Sequence, residues 1–163
     1  MNFHEGDSVM HWTFGLGKVV RLEERNASGK EMLYYAIQIG DMTIWVPADG
    51  MLKNRLRPPT SENEFKKLQK ILSNPGEPLP DDRHQRKTKL LEILKDGTAE
   101  ALCRVIRGLV TYQKVRPLNE NDQALLKRSQ KALVGELGVA LSVTPMQAET
   151  ELHRLLSSGS TGD

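Results

Sequence analysis

Gly15, Gly17 and Lys18, within "WTFGLGKVVRLEERNASGK" (Trp12 to Lys30), come nearest to a phosphate-binding loop in this chain. Such a loop needs Gly-x-x-x-x-Gly-Lys-Ser/Thr, so that successive backbone N–H groups face phosphate and the hydroxyl holds magnesium. Here Trp12 stands five positions before Gly17 and Val19 follows the lysine, so both ends of the pattern are missing. A dinucleotide fingerprint needs a third glycine opening a helix, whereas KVVRLEER reads as a strand. Gly15 and Gly17 are therefore expected to make a tight strand-to-strand turn. Other reactive groupings are also absent. His4, His11, His84 and His153 are scattered with no i, i+4 pair, and one cysteine cannot build a zinc site. Asp81 and Asp82 precede a helical run, where acids favour the positive end of the helix dipole. No Gly-x-Ser-x-Gly elbow occurs, and no acid, base and nucleophile come together. The expectation is a non-enzyme with no catalytic residue, no metal and no cofactor.

Binding features are better represented. Trp45 lies in MTIWVP, where strand alternation puts it on the face opposite Met42 and Ile44. It is either a core tryptophan or an exposed aromatic anchor of the kind interfaces favour. The net charge of +2 is too small to imply a nucleic-acid partner, but its distribution is uneven. Residues 1–58 carry seven Lys/Arg and seven Asp/Glu, whereas RHQRKTKLLEILK (Arg83 to Lys95) carries five cations and one acid. Arg83, Arg86, Lys87 and Lys89 fall within two helical turns, close enough for at least three to reach one phosphate backbone. The alternative is a solvated helix face.

These residues sit on two modules of different period. Through residue 57 the runs DSVMHW, GKVVRLEE, EMLYYAIQI and MTIWVP read as strands, linked by Asn26-Ala27-Ser28-Gly29 and by Gly40-Asp41, the latter suited to a type II′ turn. A small, strongly bent antiparallel sheet of four or five strands is expected. After Pro58-Pro59 the period becomes helical. Ser61 with Glu64 can cap a first helix; after NPGEPLPDD a second carries Leu90, Leu91, Ile93 and Leu94. Thr98 caps a third, containing Cys103 as a small core residue, Asn119 a fourth, and Thr144-Pro145 starts a fifth. The fold class is α+β, with a β-module over 1–58, a compact all-helical domain of five helices over 59–157 and a disordered tail over 158–163. The opening residues carry no secretory pattern, no apolar run spans a bilayer, and the lone Cys103 suits a reducing compartment, so the expected location is the cytoplasm.

The segment from Phe3 through Leu56-Arg57-Pro58-Pro59 resembles the N-terminal module of the CarD/CdnL family of bacterial transcription regulators, which transcription–repair coupling factors share. The matching signals are Gly6-Asp7, Gly15-x-Gly17-x-Val19, Tyr34-Tyr35, Val46-Pro47 and Leu56-Arg57. LLEILKDG, VIRGL and PLNENDQALLKRSQKALVGEL then follow the order of the family's helical domain. The chain has no Walker motif, which sets the coupling factors aside.

The resemblance implies a Tudor-like β-module docking on the β subunit of RNA polymerase. It also implies a helical domain that contacts promoter DNA at the upstream edge of the melted bubble and modulates open-complex stability. On that basis Arg25 and Trp45 are the expected polymerase contacts, Trp45 standing where some members have an arginine. Arg83, Arg86, Lys87 and Lys89 are the expected DNA contacts, with Arg83 standing where members commonly place a wedging tryptophan. A monomer tethered to nucleoid-bound polymerase is expected, its weak DNA affinity offset by high effective concentration. The competing expectation is a polymerase-bound adapter whose helical domain recruits another protein and ignores DNA.

Overall fold

The computed structural model describes residues 3–27 and 29–158. The chain divides into two compact units, Met1–Pro59 and Thr60–Asp163. The first is a five-stranded sheet of β1 (Ser8–His11), β2 (Gly15–Ala27), β3 (Lys30–Ile39), β4 (Met42–Pro47) and β5 (Leu56–Arg57), in the order β4-β3-β2-β1-β5 with every pair antiparallel. Gly40 takes a φ of 60° while Asp41 stays at negative φ, as a type II′ turn requires. The β2–β3 hairpin is longer than the sequence implied: pairing extends to Ala27 and Lys30, and Ser28 of the expected turn lies outside the described residues. One sheet face closes over Val9, Val19, Tyr35, Ile37, Val46, Leu52 and Leu56. The ring of Phe3 meets Tyr35 edge-on at 5.8 Å.

Gly17 differs from its expected place in a turn. The turn is Trp12–Phe14, and Gly17 lies inside β2, paired with Val9. A Cβ there would come within 2.7 Å of Ile37 Cγ2 and Ile39 Cγ1, so the bent sheet needs a bare backbone at this point.

The second unit holds α1 (Glu62–Ser73), α2 (Arg83–Leu94), α3 (Ala99–Gln113), α4 (Glu120–Ala140) and α5 (Pro145–Ser158). Ser158 ends α5 rather than opening a tail, and residues 159–163 lie outside the described residues. Local chemistry sets the starts: Ser61, Asp82, Thr98 and Asn119 each accept a backbone N–H of the first turn, and Thr144 does so from Gln147 while Gln147 reaches back. Among these helices α3 is the most enclosed, burying Ala99, Ala101, Cys103, Val105, Ile106 and Leu109. At the unit's entry the Thr60 N–H donates to the buried Glu136 carboxylate at 2.8 Å. Among the described residues no helix is long and apolar enough to cross a membrane, and no group of three His, Cys, Asp or Glu gathers as a metal site.

Candidate functional site

In the β-module a β-bulge decides which side chains reach solvent. Val19 pairs with Ile37 but Arg21 with Ala36, so Val20 is an extra residue in β2. Before it Gly17 and Val19 face the core; beyond it the odd positions Arg21, Glu23 and Arg25 face away from it. Two strands over, Trp45 pairs with Ala36 on that same outer face and is 40% exposed.

These four side chains are joined. Glu23 Oε2 accepts from Arg21 Nε at 2.6 Å, and its Oε1 accepts from the Trp45 indole Nε1 at 2.5 Å. Arg25 Nη1 lies 3.9 Å from the same Oε1, and its Cζ sits 4.4 Å over the Trp45 ring, within cation–π range. The Arg21 hydrogen bond, helped by that of Trp45, holds the Glu23 carboxyl below the usual carboxylate range.

Beside this cluster runs the outer edge of β4, the end strand of the sheet, which pairs with no further strand among the described residues. In a two-residue hairpin the flanking pair Ile39–Met42 is hydrogen-bonded, and alternation makes Ile37–Ile44 and Tyr35–Val46 the next such pairs. The N–H and C=O of Thr43 and Trp45 therefore point outward from β4. Pro47 closes the row, since it has no N–H to offer.

The cations expected on one face of α2 divide three ways. Arg83 and Lys87 are exposed, one turn apart, and form no ion pair among the described residues. Lys89 is half-buried and turned back: its Nζ donates to Pro78 O at 2.9 Å and lies 3.8 Å from Glu77, which also pairs with Arg104. Arg86 corrects the expectation outright, because it is only 4% exposed. Its Nη2 and Nε donate to Asp122 Oδ2 at 2.8 and 3.0 Å, and Nη1 donates to Pro80 O, Asp81 O and the Tyr112 hydroxyl. The Asp122 hydrogen bonds raise its pKa against the opposing effect of burial. Buried and committed to these partners, the guanidinium does not present itself to a phosphate backbone.

Residues 67–153 match the family described as CarD, C-terminal domain, and residues 3–59 match the CarD-like/TRCF RID domain. The chain belongs to the CarD family. This is a family of RNA polymerase-interacting, non-enzymatic transcription regulators, and its RID module is an RNA polymerase β-subunit interaction domain. The five-stranded sheet is consistent with the Tudor-like form of that module.

Within this CarD chain the sequence reading named Arg25 and Trp45, which the structure brings together, but not their neighbours Arg21 and Glu23, whose outward direction depends on the bulge. It also missed the role of Arg86, although a signal was present. Arg86, Leu90 and Ile93 follow i, i+4, i+7 spacing and form the buried stripe of α2, while Leu91 is exposed.

Arg83 is positioned by the connector that precedes α2. Gly76 N–H donates to Thr111 Oγ1 at 3.0 Å, and a Cβ on Gly76 would lie 2.7 Å from the Cα and N of Gly108 in α3. Because that obstruction is backbone, Gly76→Ala must lift the connector off α3. The expected cost is about 1–3 kcal/mol, read as a lower urea midpoint at unchanged slope.

Proposed function

We propose that this CarD family member docks on the β subunit of bacterial RNA polymerase through Trp45, Arg25 and the outer edge of β4. The observation that carries this reading is the coincidence of an unpaired strand edge with an exposed aromatic–guanidinium pair. An extended partner segment can add a strand along Thr43 and Trp45, gaining main-chain hydrogen bonds, while Trp45 supplies apolar contact and Arg25 meets an acidic side chain. Calorimetric titration against the isolated β lobe tests this, with Arg25→Glu as control: saturable binding lost by the control supports it, and no binding at tens of micromolar overturns it. The working site is then the cytoplasm, at the transcribing polymerase.

For the helical unit, the proposed contact is with promoter DNA near the upstream edge of the bubble, through Arg83 and Lys87. Arg83 lies at the N-terminus of α2, where the helix dipole favours an anion, and Lys87 follows one turn later. Two cations account for a salt slope of only about −2, so the contact works because polymerase tethers it. In place of an indole that unstacks bases, Arg83 offers charge to a narrow minor groove, which makes modulation of the open complex electrostatic. Arg83→Glu combined with Lys87→Glu is expected to abolish the effect on open-complex lifetime while leaving the melting temperature within about 2 °C, since both side chains are exposed. A specific observation favours a second reading. Leu91 extends the exposed stripe Arg83–Lys87 by one more turn, giving a mixed surface suited to a protein partner. If the charge reversal leaves promoter effects intact, the adapter reading stands.

A further inference from the structure

We infer that Glu23 is a positioning residue for docking: it fixes the Trp45 indole and the Arg25 guanidinium as one preformed anchor beside the free edge of β4. This rests on the polymerase-docking reading above and adds the residue that makes its anchor rigid.

The geometry carries the inference. An exposed tryptophan on an edge strand ordinarily samples several rotamers, and freezing a side chain on binding costs about 0.5–1.5 kcal/mol. Here both sides of the indole are held before any partner arrives. Its N–H donates to Glu23 Oε1, and its face lies under Arg25. Glu23 is itself fixed from the other side by Arg21, whose Nε donates to Oε2. One carboxylate thus uses its two oxygens to hold two different neighbours, with the Arg25 guanidinium 3.9 Å from the oxygen that the indole occupies. The cluster is ordered by strand register rather than by burial: Glu23 is opposite Tyr34 and Trp45 opposite Ala36, so the bond runs diagonally across β3.

Charge alone makes the opposite forecast. A carboxylate next to a cationic docking surface would repel an acidic partner, and removing it would then tighten binding. The positioning role requires that removal weaken it. The conservative variant separates the two parts of the role, because Gln keeps an acceptor for the indole N–H but loses the charge that holds Arg21 and Arg25.

The test uses the full chain and two readouts. In the first, the indole N–H resonances are followed by nitrogen-15 NMR, with Trp12→Phe assigning the two tryptophans. The Trp45 signal is expected to move in Glu23→Ala, to be largely retained in Glu23→Gln, and in the unsubstituted chain to titrate below the ordinary glutamate range. In the second, affinity for the β lobe is expected to fall about three- to tenfold in Glu23→Ala and by less in Glu23→Gln. A Trp45 indole signal unmoved by Glu23→Ala overturns the latch itself. Unchanged or tighter binding by Glu23→Ala overturns the docking role. Failure of the unsubstituted chain to bind the lobe overturns the polymerase reading, and with it that role, while the NMR arm still decides whether the latch exists.

Discussion

Replacing Arg86 with alanine is expected to destabilise the helical unit by about 3–5 kcal/mol, the range seen when one partner of a buried ion pair is removed. Asp122 is as buried as Arg86, so the substitution leaves a carboxylate with its main counter-charge gone. The carbonyls of Pro80 and Asp81 and the Tyr112 hydroxyl lose a shared donor at the same time. Those two carbonyls end the connector, so the start of α2 loosens with the pair. For a unit of this size each kcal/mol moves the midpoint by roughly 4–8 °C, and a fall of more than 10 °C is the expected calorimetric result. Asp122→Ala should cost a similar amount, and the double variant should cost far less than the sum of the two. A loss below about 1 kcal/mol would show that solvent reaches the pair and would return Arg86 to the candidate DNA contacts. The distinction governs how any promoter assay on Arg86 is read: reduced activity there reports unfolding, whereas reduced activity in Arg83 and Lys87 variants reports lost charge.

Trp45→Ala is expected to weaken binding to the polymerase β lobe by about 30-fold or more, the scale of an interface hot spot worth 2 kcal/mol. Alanine leaves the outward N–H and C=O of β4 in place, so strand addition survives and the loss measures the aromatic anchor. Arg25 then has no ring beneath it and Glu23 no indole N–H, so both lose the geometry that presents them. The fold should change little, because Trp45 belongs to neither buried core. Calorimetry on the isolated lobe decides: a decrease of less than about threefold would mean the edge alone carries the docking.

What could be read from the sequence was what depends on neighbours in the chain. Ser61, Thr98, Asn119 and Thr144 announced their helices because a cap needs only the residues three positions ahead. Gly40-Asp41 fixed a hairpin for the same reason. Residues whose meaning depends on distant partners were read wrongly or not at all. Arg86 looked like a surface charge because its counter-ion lies 36 positions away. Arg107, inside the apolar run VIRGL, was passed over as a family marker. It is in fact 1% exposed, and its Nη1 donates to Leu72 O and Leu156 O, carbonyls in the last turns of α1 and α5. Those helix ends carry partial negative charge and stand in for a carboxylate that sequence inspection would have sought. Trp45 was legible as a position of interest but not as exposed, since alternation gives parity and only the sheet's curvature says which parity is outside.

The extra residue at Val20 gives the β-module an unusual kind of sensitivity. Most positions in the docking surface tolerate exchange of one amino acid for another at graded cost. The pairing of Val20 is different in kind, because it, and not side-chain chemistry, assigns one set of residues to solvent and the other to the core. Deleting Val20 would make Val19–Ile37 and Arg21–Ala36 consecutive pairs and leave Arg21, Glu23 and Arg25 facing out. Drawing Val20 into the ladder opposite Ala36 would instead set Arg21 opposite Tyr35, send Arg21, Glu23 and Arg25 inward and turn Leu22 and Glu24 out, inverting the surface without altering one of its letters. A relative that keeps the residue but straightens the bulge would therefore dock differently, whatever its percentage identity.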